Sequence, residues 1–279
     1  MVTGRAGFIA SALVRRLVAA GNRVKVIDNL WRGTLENLVD EHGGPVISPR
    51  SHFVRGDLCD YHTCLEHIRD VDIVYHLADV VGGIEFVFAN ESFGSWQNVL
   101  VNSNVFRACA VNGVTTCIYV GTACSYPNHI ESNEGLGVVK EEQAFPANPE
   151  SGYGWSKLIG EYEAALLARE GAFNLGLLRL HNVCGSGATC EPRYSQAIAS
   201  LIRRALLYFQ EEFVVWRSGA QYRDFVYIDD VVEGLVKVAK HGLHCGAIQL
   251  GSGCATSPSS SVIFESGTKK KLEMPVNAG

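Results

Sequence analysis

Tyr153 and Lys157 stand four positions apart in Ser151-Gly152-Tyr153-Gly154-Trp155-Ser156-Lys157, where a Pro-containing loop gives way to a helical run ending near Arg169. On a helix, that spacing puts two side chains on one face, a turn apart. A tyrosine hydroxyl has a pKa near ~10 and is almost wholly protonated at neutral pH. An ammonium within about 4–6 Å favours the phenolate and lowers that value by roughly 1–3 units. The pair is therefore expected to act as an acid/base couple in which Lys157 makes Tyr153 more acidic. The same spacing occurs by chance on solvated helix faces, so it acquires meaning only with a redox cofactor site upstream.

Such a site is written at the N-terminus. Gly4-x-x-Gly7-x-x-Ala10, in the run Gly4-Arg5-Ala6-Gly7-Phe8-Ile9-Ala10, lies between the tail of a strand (Met1–Thr3) and an amphipathic helix burying Phe8, Ala12, Leu13 and Leu17. Glycines there let the backbone approach a pyrophosphate, which rests on the helix N-terminus. Asp28 closes the next strand, Val24–Ile27, where a carboxylate accepts bonds from the adenosine ribose hydroxyls. An acid at that place repels the extra phosphate of NADP, so the expected cofactor is NAD; Arg32 nearby keeps NADP as the alternative.

Further strand-like runs at Phe53–Val54, Val71–Leu77, Cys117–Val120 and Leu175–Leu180 alternate with helical runs at Leu35–Glu41, Tyr61–Arg69, Trp96–Val111 and Tyr153–Arg169. That alternation predicts βαβ units and a parallel sheet. Thr122 follows the fifth strand, at the sheet edge where ligands bind in such folds. After Arg179 the pattern loosens into a loop (Ser186–Pro192), a helix (Ser195–Leu207), short strands (Val214–Trp216, Phe225–Tyr227) and a helix (Val231–Lys240). Ser257–Gly279 is rich in Ser, Lys and Gly and is expected to pack loosely. The expected fold is α/β: a doubly wound parallel sheet of Rossmann type over 1–180, to which 218–243 returns. A small substrate-binding lobe, its C-terminal part incomplete, takes 181–217 and 244–279.

The net charge of −5 argues against nucleic acid or an anionic membrane as partner. No apolar run reaches membrane-spanning length. Nine scattered cysteines without a C-x-x-C pair suit reduced thiols in a cytoplasmic protein, and no zinc-ligand pattern accompanies them. The acid-free stretch up to Ile27 faintly resembles a targeting peptide, but the glycine turn and its helix account for it better.

Val2-Thr3-Gly4-x-x-Gly7-Phe8-Ile9, Asp28-Asn29-Leu30, Gly56-Asp57-Leu58, His76-Leu77-Ala78, Tyr153-x-x-x-Lys157 and Arg223-Asp224-Phe225-Val226-Tyr227-Ile228-Asp229-Asp230 together resemble the extended short-chain dehydrogenase/reductases. Within them the chain is similar to the NAD-dependent nucleotide-sugar epimerase/dehydratase family, from Val2 to about Gly253. The resemblance implies that Gly4, Ala6, Gly7, Phe8, Ile9, Asp28, Asn29, Tyr153 and Lys157 hold NAD. Asp57 and Leu58 would border the adenine, Leu77 and Ala78 the nicotinamide ribose, and Asn98 would be a structural asparagine. It also implies a nucleotide-diphosphate sugar, oxidised at C4 while Tyr153 takes the O4 proton and Thr122 bonds both, then reduced again. Arg223, Asn182 and, with a solvated loop position as its alternative, Arg193 would hold that substrate.

Dehydratases of this family carry Asp-Glu after the threonine; here Ala123-Cys124 follows. Thr122-Ala123-Cys124-x-Tyr126-Pro127 and Val81-Gly82-Gly83-Ile84 are similar to the GDP-mannose 3,5-epimerase branch, which would make Cys124 an acid/base at the carbons beside the ketone. The alternative is a small buried cysteine behind the site. That branch also needs a lysine where this chain has Gly187-Ala188-Thr189-Cys190-Glu191-Pro192-Arg193, leaving Glu191 or Arg193 to substitute. A UDP-sugar 4-epimerase therefore stays open, as does a non-catalytic NAD-binding homologue. Arg5, Cys184-Gly185-Ser186 and Arg217 depart from the family pattern, and the short ends imply an open substrate site. A homodimer through the helices near Trp96–Val111 and Tyr153–Arg169 is the expected assembly.

Overall fold

The computed structural model describes residues 1–4, 7–32, 37, 39, 44–47, 52–131, 139–208, 210 and 222–256. Among these residues ten strands are found: β1 (Val2–Thr3), β2 (Val26–Asp28), β3 (Phe53–Arg55), β4 (Ile73–His76), β5 (Thr116–Thr122), β6 (Asn174–Leu180), β7 (Asn182–Cys184), β8 (Arg223–Tyr227), β9 (Ala247–Leu250) and β10 (Ala255–Thr256). Seven form one parallel sheet in the order β3-β2-β1-β4-β5-β6-β9. The order reverses between β1 and β4, and in doubly wound sheets a crevice opens at that switch point beyond the strand C-termini.

The helices are α1 (Phe8–Ala19), α2 (Tyr61–His67), α3 (Ile84–Ala89), α4 (Glu91–Val111), α5 (Asn128–Glu131), α6 (Gly152–Arg169), α7 (Ala197–Leu206) and α8 (Ile228–His241). Because side chains alternate along a strand, β5 feeds two cores. Ile118 and Val120 join Leu13 and Val14 of α1 and Val231 and Leu235 of α8. Cys117 and Tyr119 join Cys64 of α2, Val105 and Phe106 of α4 and Ala164 of α6. Burial on both faces explains why these strands read as continuous apolar runs.

β7, β8 and β10 form a separate three-stranded sheet, β8 central. Here the expected division needs correcting. β9 sits at the edge of the main sheet beside β6, although 244–279 was assigned to the lobe, and β8 pairs within the small sheet while α8 alone returns to pack on α1. Ala247–Leu250 is half-buried throughout, so its sequence lacks the strong pattern of an inner strand. α3, β7, β9 and β10 were not expected, and α4 starts at Glu91 rather than near Trp96. Leu35–Glu41 lies almost wholly, and Val214–Trp216 and Ser257–Gly279 entirely, outside the described residues, as do Arg5 and Arg217.

Candidate active site

Gly4 leaves β1 with φ of 70°, and a Cβ there would come 2.4 Å from Ala78 Cα. Only glycine permits both the turn and that approach. Gly7 then caps the start of α1 and has no side chain to satisfy the first-turn N–H groups. Asp28 is nearly buried at the end of β2, and its Oδ1 accepts the Leu30 N–H at 2.6 Å, holding Leu30 at φ 61°.

Gly4, Gly7, Phe8, Ile9, Asp28 and Asn29 line one cleft of about 1420 Å³, and Asp57, Leu58, Leu77 and Ala78 line it further along. Ala6 lies outside the described residues. Arg32 turns into the molecule, its two terminal nitrogens donating to Val81 O at 2.6 Å and Tyr194 O at 2.8 Å. That clamp across two loops commits the one cation that had kept NADP open.

At the other end of the cleft α6 begins, with the Ser151 hydroxyl accepting the Gly154 N–H at 3.2 Å. A Cβ on Gly154 would fall 2.1 Å from Cys124 O, so this glycine lets the helix start press against the turn after β5. Tyr153 and Lys157 share the expected face, but they meet through a third residue and not through a hydrogen bond to each other. The Tyr153 hydroxyl donates to Asp79 Oδ2 at 3.0 Å, and Lys157 Nζ lies 3.4 Å from that oxygen. Lys157, with 3% of its side chain exposed, also sits 4.6 Å above the Tyr119 ring.

This overturns the expected sign of the tyrosine's perturbation. Burial first, and then the facing Asp79 carboxylate, push the Tyr153 hydroxyl well above the ordinary phenol range. Asp79 escaped the sequence reading, although an acid directly after His76-Leu77-Ala78 at a sheet edge was the available signal.

Behind the site runs a buried chain of polar groups. The Thr3 hydroxyl accepts the Leu77 and Ala78 N–H groups at 3.2 and 3.1 Å and meets His76 Nδ1 at 2.8 Å. His76 Nε2 meets Asn102 Oδ1 at 3.0 Å, Asn102 Nδ2 donates to Tyr119 Oη at 3.1 Å, and Tyr119 donates to Lys157 O at 3.3 Å. The carbonyl oxygen of Asn102 can only accept, which assigns the ring proton to Nε2 and makes Thr3 the donor to Nδ1. Burial, then the Lys157 charge, lower His76 to about 3, so its ring is neutral. Asn98 grips Val80 in both directions, at 2.7 and 3.2 Å, which suits the structural role expected of it.

Thr122 Oγ1 accepts the Cys124 N–H at 3.2 Å, starting the short turn Ala123–Ser125; both residues line the cleft beside Tyr153. From the small sheet, Asn182 donates to Asp224 O at 3.2 Å and Arg223 begins β8; both line the cleft, as do Glu191 and Arg193. Arg193 is exposed, its guanidinium 5.5 Å from the Tyr194 ring centre and 6.0 Å from that of Phe86. Apart from Ala6, every residue assigned from the sequence to catalysis, cofactor or substrate lines this cleft.

Sheet order, glycine turn and acid at the end of β2 define a dinucleotide-binding α/β protein, in which the start of α1, without a side-chain cap at Gly7, and the Asp28 carboxylate would hold the pyrophosphate and ribose of NAD. The model of the NAD dependent epimerase/dehydratase family matches residues 1–251, and the chain belongs to that family. NAD is its cofactor. GDP-mannose 3,5-epimerase 1 of Oryza sativa subsp. indica is 31% identical over 241 residues, 86% of this chain and 60% of the relative. A putative UDP-glucose 4-epimerase of Methanocaldococcus jannaschii is 28% identical over 237 residues, 84% of this chain and 70% of the relative. The chain thus spans about 60% of the length of the GDP-mannose 3,5-epimerases it matches. Among solved structures, Thermus thermophilus UDP-glucose 4-epimerase in complex with NAD superposes with a TM-score of 0.75 at 26% identity, over 92% of this chain and 78% of that one. Among the described residues no helix is long and apolar enough to cross a membrane.

Proposed function

We propose that this chain is an NAD-dependent nucleotide-sugar epimerase of the GDP-mannose 3,5-epimerase kind, acting through a transient 4-keto sugar. The observation that carries the reading is the meeting of Thr122, Cys124, Tyr153 and Lys157 at one end of the glycine-turn cleft. NAD, when bound, supplies reversible oxidation at C4. Tyr153 holds the proton exchanged with O4, and Thr122 orients that hydroxyl. A C4 ketone acidifies the neighbouring C–H bonds, and the Cys124 thiol removes or returns a proton there. Arg223, Asn182 and Arg193 hold the diphosphate and sugar. Lys157 anchors the reaction end of the cleft and neutralises the carboxylate beside it.

A UDP-sugar 4-epimerase is the second reading, favoured by the cleft-lining stretch Glu191-Pro192-Arg193, which offers no lysine as a second acid/base. Incubation with NAD⁺ and either GDP-mannose or UDP-glucose in D₂O, read by NMR, separates the two. Solvent deuterium at C3 or C5 supports the first, an unlabelled C4 epimer the second, and no turnover of either sugar refutes both. The exposed apolar residues Trp96 of α4 and Trp155, Ile159 and Tyr162 of α6 are proposed as a homodimer face. Sedimentation of W155E as a monomer beside a dimeric parent would support it.

A further inference from the structure

Asp79 is the one carboxylate hydrogen-bonded to the Tyr153 hydroxyl among the described residues, and it has no part in the reaction just proposed. It follows β4 at the sheet edge, 12% of its side chain exposed. One oxygen, Oδ2, takes both the Tyr153 O–H (3.0 Å) and the Lys157 ammonium (3.4 Å). The other, Oδ1, is buried with no hydrogen-bond partner among the described residues. A buried, unmatched carboxylate oxygen costs free energy, and this one belongs to a residue lining the ligand cleft.

We propose that Asp79 is a positioning residue of the reaction centre: its carboxylate ties Tyr153 and Lys157 into one unit and holds the proton on Tyr153. The proposal rests on the epimerase reading only for its consequence in catalysis; the linkage itself is a property of the free protein.

The charged and titratable groups around the unit come from every element packed against it. α6 contributes Lys157, β5 contributes Tyr119, and the turn after β5 contributes Cys124. The loop after β2 contributes the Arg32 guanidinium, which feels both Asp79 and Tyr153. Glu161 acts from α6 through Lys157, and neutral His76 lies behind the same ammonium. Among the described residues only Asp79 both hydrogen-bonds to Tyr153 and opposes its ionisation with a carboxylate. While it stands, Lys157 is engaged by a carboxylate and is not spent on a phenolate. Replacing the carboxylate by the isosteric amide removes that opposition and leaves the lysine's charge to act on the tyrosine.

The test is ultraviolet titration of tyrosine ionisation in the free protein, comparing wild type, D79N, Y153F and D79N/Y153F. Subtracting each Y153F curve isolates Tyr153. The expected result is ionisation of Tyr153 in D79N at a pH lower by roughly 1–3 units than in wild type, the range an adjacent opposite charge produces. Equal midpoints in the two backgrounds overturn the proposal, as does the absence of any earlier ionisation in D79N before alkaline unfolding. If D79N fails to fold by near-ultraviolet circular dichroism, D79S serves the same comparison. A purely structural role would lower the melting temperature without moving this curve. Because the titration uses neither sugar nor NAD, failure of the epimerase reading leaves its outcome interpretable.

Discussion

Acid should unfold this protein partly through His76. The ring is 1% exposed, receives the Thr3 hydroxyl on Nδ1 and donates from Nε2 to Asn102. A second ring proton would point at a threonine oxygen that already accepts two backbone N–H groups. Burial, and then Lys157, carry the ring from the ordinary 6.5 to about 3. The unfolded chain therefore binds a proton as pH falls below 6.5, while the folded chain refuses it until near 3. The stabilisation is whole above about pH 6.5 and is lost on descending from there toward 3. Across that whole interval the loss is roughly 5 kcal/mol at ~1.4 kcal/mol per pH unit, with about 2 kcal/mol gone by about pH 5. Against a total stability of about 5–15 kcal/mol, that is a large fraction. Urea unfolding of wild type and H76Q at a series of pH values isolates it, since glutamine offers a donor and an acceptor but does not titrate. The difference between the two curves should fall with a slope of ~1.4 kcal/mol per pH unit through this window. Parallel curves would show that the ring titrates as it does in water, and the buried-chain account would fail.

Gly4→Ala should abolish NAD binding, because its Cβ has no room beside Ala78 and the φ of 70° strains any side chain. Scanning fluorimetry should show the melting point of wild type rising with millimolar NAD, by the equivalent of about 2.7 kcal/mol at a hundredfold excess over Kd, and that of the variant unmoved. Glu161→Ala should cost about 3–5 kcal/mol, the loss expected when a buried charge is left alone. The charge in question is Arg179, whose Nη2 lies 2.7 Å from Glu161 and which also ties Tyr126 Oη and Glu141 O. Guanidinium denaturation of E161L/R179M should recover most of that loss. Cys124→Ser should cut deuterium wash-in at C3 and C5 by roughly 10²-fold, the usual scale of one acid/base group, while oxidation at C4 persists; equal wash-in would return Cys124 to a packing role.

By itself the sequence determined the local devices: a glycine turn between strand and helix, an acid closing the second strand, and a tyrosine and lysine one turn apart. Each depends on backbone geometry or on spacing within one element, and such information lies in contiguous residues. Strands covered on both faces were equally legible, being uniformly apolar. Tertiary structure decided what distant segments do to each other. β9 joined the main sheet although its half-buried residues carry little pattern, because an edge strand is specified by the backbone bonds of its neighbour β6. Arg32 became a clamp between loops centred on Val81 and Tyr194. Above all, the character of Tyr153 was decided by its burial and then by Asp79, 74 residues away in the chain. A pKa answers to burial and to the nearest charge in space, and neither can be read from the spacing of two residues on a helix.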